Sequence, residues 1–414
     1  MRRVLIASLL LTACGNDVVP TGDDASTPTT EPVFYGQVQR IFNDNCVSCH
    51  SEDPDRLAPF ALVKYEDAVA AATDFPMAYD VMNRVMPPFY ADQNGDCGSF
   101  RDAHWMTDDE LDTLLAWING GKLEGNPADT VAPPPPPGGL AQVDHTVDTN
   151  TSFTISTDQP DTFACFVVDS IGADKFVVGA HVKPGNLTVA HHVILFTLDQ
   201  AAEDDAVAKQ AAAGGSSYRC DGGPTQAGEA KFLVGWVPGN QATVFPPSTG
   251  IRVDGARKMV VQMHYNSAHS DGRTDRTTID LDLADSVQVP AQMARISGNV
   301  NLPPQQIDAT STGTVTIPNA LPSARIWGSG VHMHQRGTAA KLTVASDNDR
   351  CLMDLVNWSF HWQHFYWFEE PVALDGGDTI KLTCHYDTTG DTQNIGFCET
   401  TDCEMCIQYA YVTQ

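Results

Sequence analysis

Lys258-Met-Val-Val-Gln-Met-His264 is a short apolar run with two adjacent valines, set between Asp254-Gly-Ala-Arg257 and a polar stretch beginning at Asn266. Runs of this length and composition read as buried or half-buried strands. The same texture recurs outward from it, in Lys175-Phe-Val-Val-Gly179, His192-Val-Ile-Leu-Phe196, Thr277-Thr-Ile-Asp-Leu-Asp-Leu283 and Lys381-Leu-Thr-Cys384. Gly, Pro, Asn and Asp punctuate the intervals. Many short strands with turn signals between them predict antiparallel sandwiches, and at ~100–150 residues each the stretch after Gly139 has room for two. The boundary is expected after the strand ending near Ala284, which gives β-sandwiches over 141–288 and 289–414.

Upstream the pattern becomes helical. Phe34, Val38, Ile41 and Phe42 recur at helical spacing just before Cys46. Thr107-Asp-Asp-Glu110 fits a capping box, Leu111, Leu114, Leu115 and Ile118 then form one face, and Gly120-Gly121 stops the helix. A small all-α domain is therefore expected over 33–127. It is followed at 128–140 by a linker in which Pro133 to Pro137 make a stiff spacer and Gly138-Gly139 a hinge. Residues 14–32, rich in Thr, Pro, Asp and Glu, read as a flexible tether.

The first residues bear on location. Arg2 and Arg3 precede an apolar run from Val4 to Leu11, ending in Leu11-Thr12-Ala13-Cys14. This is the form of a secretory signal over 1–13, too short to span a bilayer as a mature helix. Leu-Thr-Ala-Cys resembles the bacterial lipobox, which implies lipidation of Cys14. Gly15 stands where an Asp would signal inner-membrane retention. The expectation is a bacterial envelope protein, held at the outer membrane by lipid alone and facing the periplasm or the surface.

Cys46-Val-Ser-Cys49-His50 is C-x-x-C-H, the attachment sequence of a c-type haem. Its spacing lets two thiols bond the haem vinyl groups while the neighbouring imidazole ligates iron. A zinc site would need a second ligand pair, and this segment offers only Cys97 and His104. One covalently bound haem c is expected, with His50 as proximal ligand. Met86-Pro87-Pro88 resembles the Met-Pro motif of small bacterial cytochromes c and makes Met86 the expected distal ligand, with Met77, Met82, Met106 and His104 as competitors. A haem with both axial positions filled transfers electrons.

Eleven of the 13 histidines lie beyond Gly139. Three clusters stand out: His191-His192, Gln262-Met263-His264 and His332-Met333-His334. Residues two apart in a strand share a face, so His332 and His334 can grip one metal. His191 and His192 would point to opposite faces of a regular strand, so joint ligation requires a bulge or the use of different ring nitrogens. Neutral imidazoles suit copper, zinc or iron. The formal charge of -28, from 24 Lys and Arg against 52 Asp and Glu, excludes nucleic acid as an expected partner, since phosphate binding needs clustered cations.

The series His-His, Gln-x-His, His-x-His and then Glu404-Met405-Cys406 resembles the copper type II, ascorbate-dependent monooxygenases, the family of peptidylglycine α-hydroxylating monooxygenase and dopamine β-monooxygenase. The resemblance runs from about Asp161 to Tyr409. It implies two jelly-roll-like copper domains and two copper ions. One would be held by His191, His192 and His264 for electron transfer, the other by His332, His334 and Met405 for reaction with O₂. A thioether beside two imidazoles favours the cuprous state. Gln262 and Tyr409 are retained as candidate polar groups of the site. The resemblance also implies the disulfides Cys165–Cys220 and Cys384–Cys406. Cys398 and Cys403 are spaced for a local bridge, and Cys97 and Cys351 are left over.

Gly330 stands where the peptide-hydroxylating branch has an arginine that grips the substrate carboxylate, Ile407 replaces its asparagine, and Phe163 replaces a tyrosine. Peptide amidation is therefore not expected, and a smaller, more apolar substrate is. The expected activity is hydroxylation of a C–H bond with O₂, with electrons supplied through the fused haem and ultimately by ascorbate or a redox protein. The short spacer is expected to keep the haem near the start of the first sandwich, feeding the copper at His191, His192 and His264. The alternative is a non-catalytic haem and copper protein that only passes electrons or holds metal.

Overall fold

The computed structural model describes residues 31–414 apart from positions 54–55, 57, 94, 96, 136–137, 157–160, 267–271, 322 and 399. The proposed signal and Cys14 lie outside the described residues. No described helix is long and apolar enough to cross a membrane.

The N-terminal domain is helical around the motif that carries Cys46. Phe34–Val38 forms an irregular turn leading into the helix Gln39–Asn45, followed by Tyr65–Asp74, Met77–Met82 and Asp108–Asn119. The capping box at Thr107 is formed, with the Glu110 amide donating to Thr107 Oγ1 at 3.3 Å and the Thr107 amide to Glu110 Oε2 at 2.8 Å. Phe34, Val38, Phe42, Leu114 and Trp117 are buried together and fix the helices to one another.

Beyond the linker the fold is β. A five-stranded sheet runs in the order Tyr218–Arg219, Asp161–Val168, Met259–Asn266, Ala190–Leu198, Ala230–Trp236. A four-stranded sheet runs Ala309–Thr316, Thr379–Tyr386, Gly337–Val344, Arg350–Leu355. Each packs on one half of a nine-stranded sheet. The first half holds His145–Asp148, Thr278–Ala284, Lys175–Lys183 and Thr249–Val253. The second holds Val289–Ser297, Ile407–Thr413, Ser323–His332 and Phe365–Asp375, and Thr243–Val244 pairs with Lys175–Lys183. One core joins Val177, Ile251, Ile279 and Leu281 to Val193, Leu195 and Val261; another joins Ile326 and Tyr366 to Leu342, Leu352 and Leu382.

Three features depart from the sequence reading. The two sandwiches are not separate sheets: Val289–Ala291 pairs in parallel with Thr249–Ile251, so one sheet runs through both, and the Tyr411 hydroxyl meets Thr249 Oγ1 at 2.8 Å across the junction. A helix, Gln200–Ala212, lies within the stretch read as short strands. Its sequence is alanine-rich, with high helix propensity, and Asp199 caps it by accepting from the Ala202 amide at 2.8 Å.

The third departure concerns the helical domain, which is fastened to the second sandwich rather than free near the first. Its described residues 90–93 and 97–101 lie along both exposed edges of that sandwich. Ala91 bridges Leu355 at the rim of the four-stranded sheet, and Phe100 bridges Phe368 at the rim of the nine-stranded sheet. Unpaired strand edges invite such additions. Gly98 permits the close approach, since a Cβ there would sit 2.7 Å from the Phe368 ring and 3.0 Å from the Leu352 carbonyl. Ala91 and Phe100 are buried in the sandwich core, and the two leftover cysteines, Cys97 and Cys351, are bonded to each other. A covalent bridge and shared core replace the expected freedom to reorient.

Candidate metal centres

His191 and His192 reach one site because the strand that carries them is irregular. The pairing of Ala190–Leu198 with Met259–Asn266 shifts between Ala190 and His192, inserting His191 as the extra residue. Such a bulge re-aims a side chain that would otherwise point to the opposite face. His191 Nδ1 lies 3.2 Å and His192 Nδ1 3.3 Å from His264 Nδ1. The far nitrogen of His264, Nε2, donates to Asp161 Oδ1 at 2.9 Å. Asp161 therefore holds the proton on Nε2 and leaves the Nδ1 lone pair directed at the other two rings. Burial, reinforced by His264, pulls His191 down to about 3, and burial takes His192 well below the usual imidazole range. Three neutral rings whose ligand atoms all lie within 4.8 Å of one another fit a soft or borderline cation. Phe163 stacks on His264 at 4.1 Å between centroids and Phe360 on His191 at 4.6 Å.

The second set forms where Ser323–His332 ends. His332 Nδ1 donates to Gln363 Oε1 at 2.6 Å and His334 Nδ1 to the Cys403 carbonyl at 2.9 Å, which leaves both Nε2 lone pairs available. Burial, then the neighbouring His334, takes His332 down to about 3. Met405 is 3% exposed and is braced on both sides. Glu404 accepts from the backbone amides of His334 and Arg336, each at 2.7 Å, and Cys406 is bonded to Cys384. The Tyr386 hydroxyl donates to the Met405 carbonyl at 2.7 Å. His332 and His192 face each other with ring centroids 6.2 Å apart, so the two sets adjoin.

The other candidates are distributed around these sets. Gln262 is buried against the Cys165–Cys220 disulfide, its Nε2 3.4 Å from the Cys220 carbonyl. Tyr409 stacks on Phe232 at 4.8 Å. A Cβ at Gly330 would lie 3.2 Å from both the His364 carbonyl and the Phe365 ring, so the space beside the second set is filled from across the sheet. Cys398 and Cys403 are bonded. Asp161, Gln363 and Glu404 were missed from sequence. Glu404 stood inside a quoted motif and Asp161 at the start of the resembling stretch, but nothing local marks Gln363.

Cys46 and Cys49 are the free cysteines among the described residues. His50 Nδ1 donates to the Phe60 carbonyl at 2.9 Å, leaving Nε2 for an axial bond. Two unpaired thiols beside an oriented imidazole, at the wall of a cavity, fit a covalently attached haem. Met86, Met77 and His104 line the same cavity. Met106 is buried in the helical core and Met82 is 58% exposed, and neither lines it. That cavity, of about 1880 Å³, is continuous from Cys46, Cys49, His50 and Met86 to His192, His264, His332, His334 and Met405.

Residues 288–413 match the family model described as copper type II ascorbate-dependent monooxygenase, C-terminal domain, and residues 37–122 match cytochrome c. The chain is similar to the peptidyl-glycine α-amidating monooxygenase of Mus musculus, 24% identical over 260 residues that make up 61% of this chain and 25% of that protein. It is also similar to the tyramine β-hydroxylase of Caenorhabditis briggsae, 25% identical over 255 residues, 56% of this chain and 41% of that protein. The matched region thus spans between a quarter and two fifths of these relatives' own length. The major capsid protein P2 of bacteriophage PM2 aligns over 65% of this chain and 96% of its own at 8% identity, with a TM-score of 0.27. The two family matches, at residues 288–413 and 37–122, support a copper monooxygenase fused to a cytochrome c domain.

Proposed function

We propose that this protein hydroxylates a C–H bond of a small organic substrate with O₂, using two copper ions at the two histidine sets and electrons supplied through a covalently bound haem c. The observation that carries the proposal is the single cavity bordered by both sets and by Cys46, Cys49 and His50. Bound copper would supply the one-electron chemistry that activates O₂. The chain's own residues prepare for it. Asp161, Gln363 and the Cys403 carbonyl fix which imidazole nitrogen is free, and Phe163 and Phe360 cover His264 and His191 with apolar rings. Phe232, Gly330 and Ile407 give the cavity apolar walls beside Tyr409, which favours a small apolar substrate over a peptide carboxylate. Ascorbate or a redox protein would reload the haem. The four disulfides among the described residues support an oxidising compartment, in keeping with lipid anchoring through Cys14 in a bacterial envelope.

The test is O₂ uptake by copper- and haem-loaded protein against a panel of small alkyl and aryl compounds, with products analysed after reaction under ¹⁸O₂. One compound should stimulate uptake and gain one labelled oxygen, and His332→Ala should abolish both. Uptake indifferent to every compound, with no labelled product, would favour the non-catalytic redox protein.

A further inference from the structure

The docking of the helical domain bears on where electrons would reach the copper sites. This rests on the proposal that the haem is the donor. Three residues after Met86, Phe89 packs edge-on against Tyr366 with centroids 5.1 Å apart, and the Tyr90 amide donates to the Tyr366 hydroxyl at 3.3 Å. Tyr366 is 3% exposed, and its ring lies 6.3 Å from that of His364. His364 is buried, held by Nδ1 donating to Asn240 Oδ1 at 2.9 Å, and stacks on Trp362 at 6.4 Å and 13°. Between them in the chain is Gln363, whose Oε1 accepts from His332 Nδ1 at 2.6 Å.

The start of the segment 356–366 is fastened to both domains. Trp358 Nε1 donates to the Val331 carbonyl at 3.1 Å, next to His332. At the other domain, Asn357 Nδ2 donates to the Asn83 carbonyl at 2.6 Å and the Val356 amide to the Tyr90 carbonyl at 3.1 Å. The segment therefore touches the haem-bearing domain and a copper-ligand set at the same time, and the Cys97–Cys351 bridge keeps it so.

We propose that Phe89, Tyr366, His364 and Gln363 form the electron path from the haem, and that it delivers to His332 rather than to the set of His191, His192 and His264. Electronic coupling falls off more slowly through covalent and hydrogen bonds than across van der Waals gaps. Gln363 offers such a bond to His332. The nearest link from this segment to His191 is the Phe360 ring, which is in stacking contact only. Each event moves one electron: ferrous haem becomes ferric and one cupric ion becomes cuprous, with no bond made or broken and no proton moved.

The experiment uses the full chain loaded with haem and two coppers, disulfides intact, haem reduced and copper oxidised. Stopped-flow absorbance follows loss of the ferrous haem band without substrate or O₂. Gln363→Leu and Tyr366→Leu should each slow it by about tenfold or more, while Gln363→Glu, which keeps the acceptor oxygen, should restore most of the rate. Because Gln363→Leu also removes the hydrogen bond that orients His332, the decisive variant is Tyr366→Leu, which should slow the haem with copper content, the cupric spin-resonance spectrum and the haem spectrum unchanged, separating a broken path from a disturbed metal site. Phe360→Leu, which removes the ring over His191, should slow haem oxidation less than Gln363→Leu does. Wild-type rates in Gln363→Leu, or slowing by Phe360→Leu alone, would overturn the path. Wild-type haem that stays reduced beside cupric ions would instead overturn the donor reading on which it rests.

Discussion

Asp161→Asn isolates the contribution of one carboxylate to the first metal set. Asp161 Oδ1 accepts from His264 Nε2 at 2.9 Å, and Oδ2 accepts from Thr401 Oγ1 at 3.0 Å. The hydrogen bond from His264 holds the carboxyl below its usual range, so it is ionised when the site binds metal. Asparagine keeps the shape but has one oxygen for two donors and no charge. Either His264 loses its partner or the amide donates to Nε2, which moves the proton to Nδ1 and removes the lone pair meant for the metal. Loss of an outer hydrogen bond of this kind weakens metal binding by about 10–100-fold, about 1.4–2.7 kcal/mol. The assay is titration of metal-free protein with cuprous ion against a competing chelator of known affinity. Two binding steps should be resolved, with Asp161→Asn shifting the one that His264→Ala abolishes and leaving the one that Met405→Leu weakens. Unchanged affinity at the first set would refute the assignment of Asp161, and equal weakening of both steps would show a general loss of structure.

Met405→Leu nearly conserves volume and should cost less than about 1.5 kcal/mol of stability, yet cuprous affinity at the second set should drop because the thioether is gone; chelator competition beside thermal unfolding separates the two effects. Replacing Cys384 and Cys406 together by Ala opens a loop closed over 22 residues. By chain entropy this costs about 3 kcal/mol, to be measured by denaturant unfolding, and copper at the Met405 set should be lost before copper at the first. Asp148 accepts from Arg276 Nε at 2.9 Å and Nη2 at 2.7 Å, which holds its carboxyl below the usual range. A depressed carboxyl contributes stability above its unfolded pKa and loses it as pH falls, so the melting-temperature difference between the wild type and Arg276→Gln should shrink below about pH 4.

The local motifs were readable because their geometry is set within a few residues. C-x-x-C-H places two thiols and an imidazole on one turn, His332 and His334 come together by their two-residue spacing although the strand ends at His332, and Thr107 and Glu110 cap their helix across a single turn. The short apolar runs announced strands, since a strand's buried face follows from alternation alone. The tertiary structure decided everything that depends on which edges and faces meet. His191 joins its neighbour because pairing with Met259–Asn266 slips by one residue, and no feature of His191-His192 itself specifies that slip. The sandwiches share a sheet because Val289–Ala291 finds Thr249–Ile251 in parallel. Gln363 serves His332 from 31 positions away, and Cys97 meets Cys351 across 254. The first follows from the pairing of Ser323–His332 with Phe365–Asp375, the second from open strand edges that only the assembled sandwich presents. Sequence periodicity records how a segment is buried, whereas the partner that buries it is fixed by the closure of the whole chain.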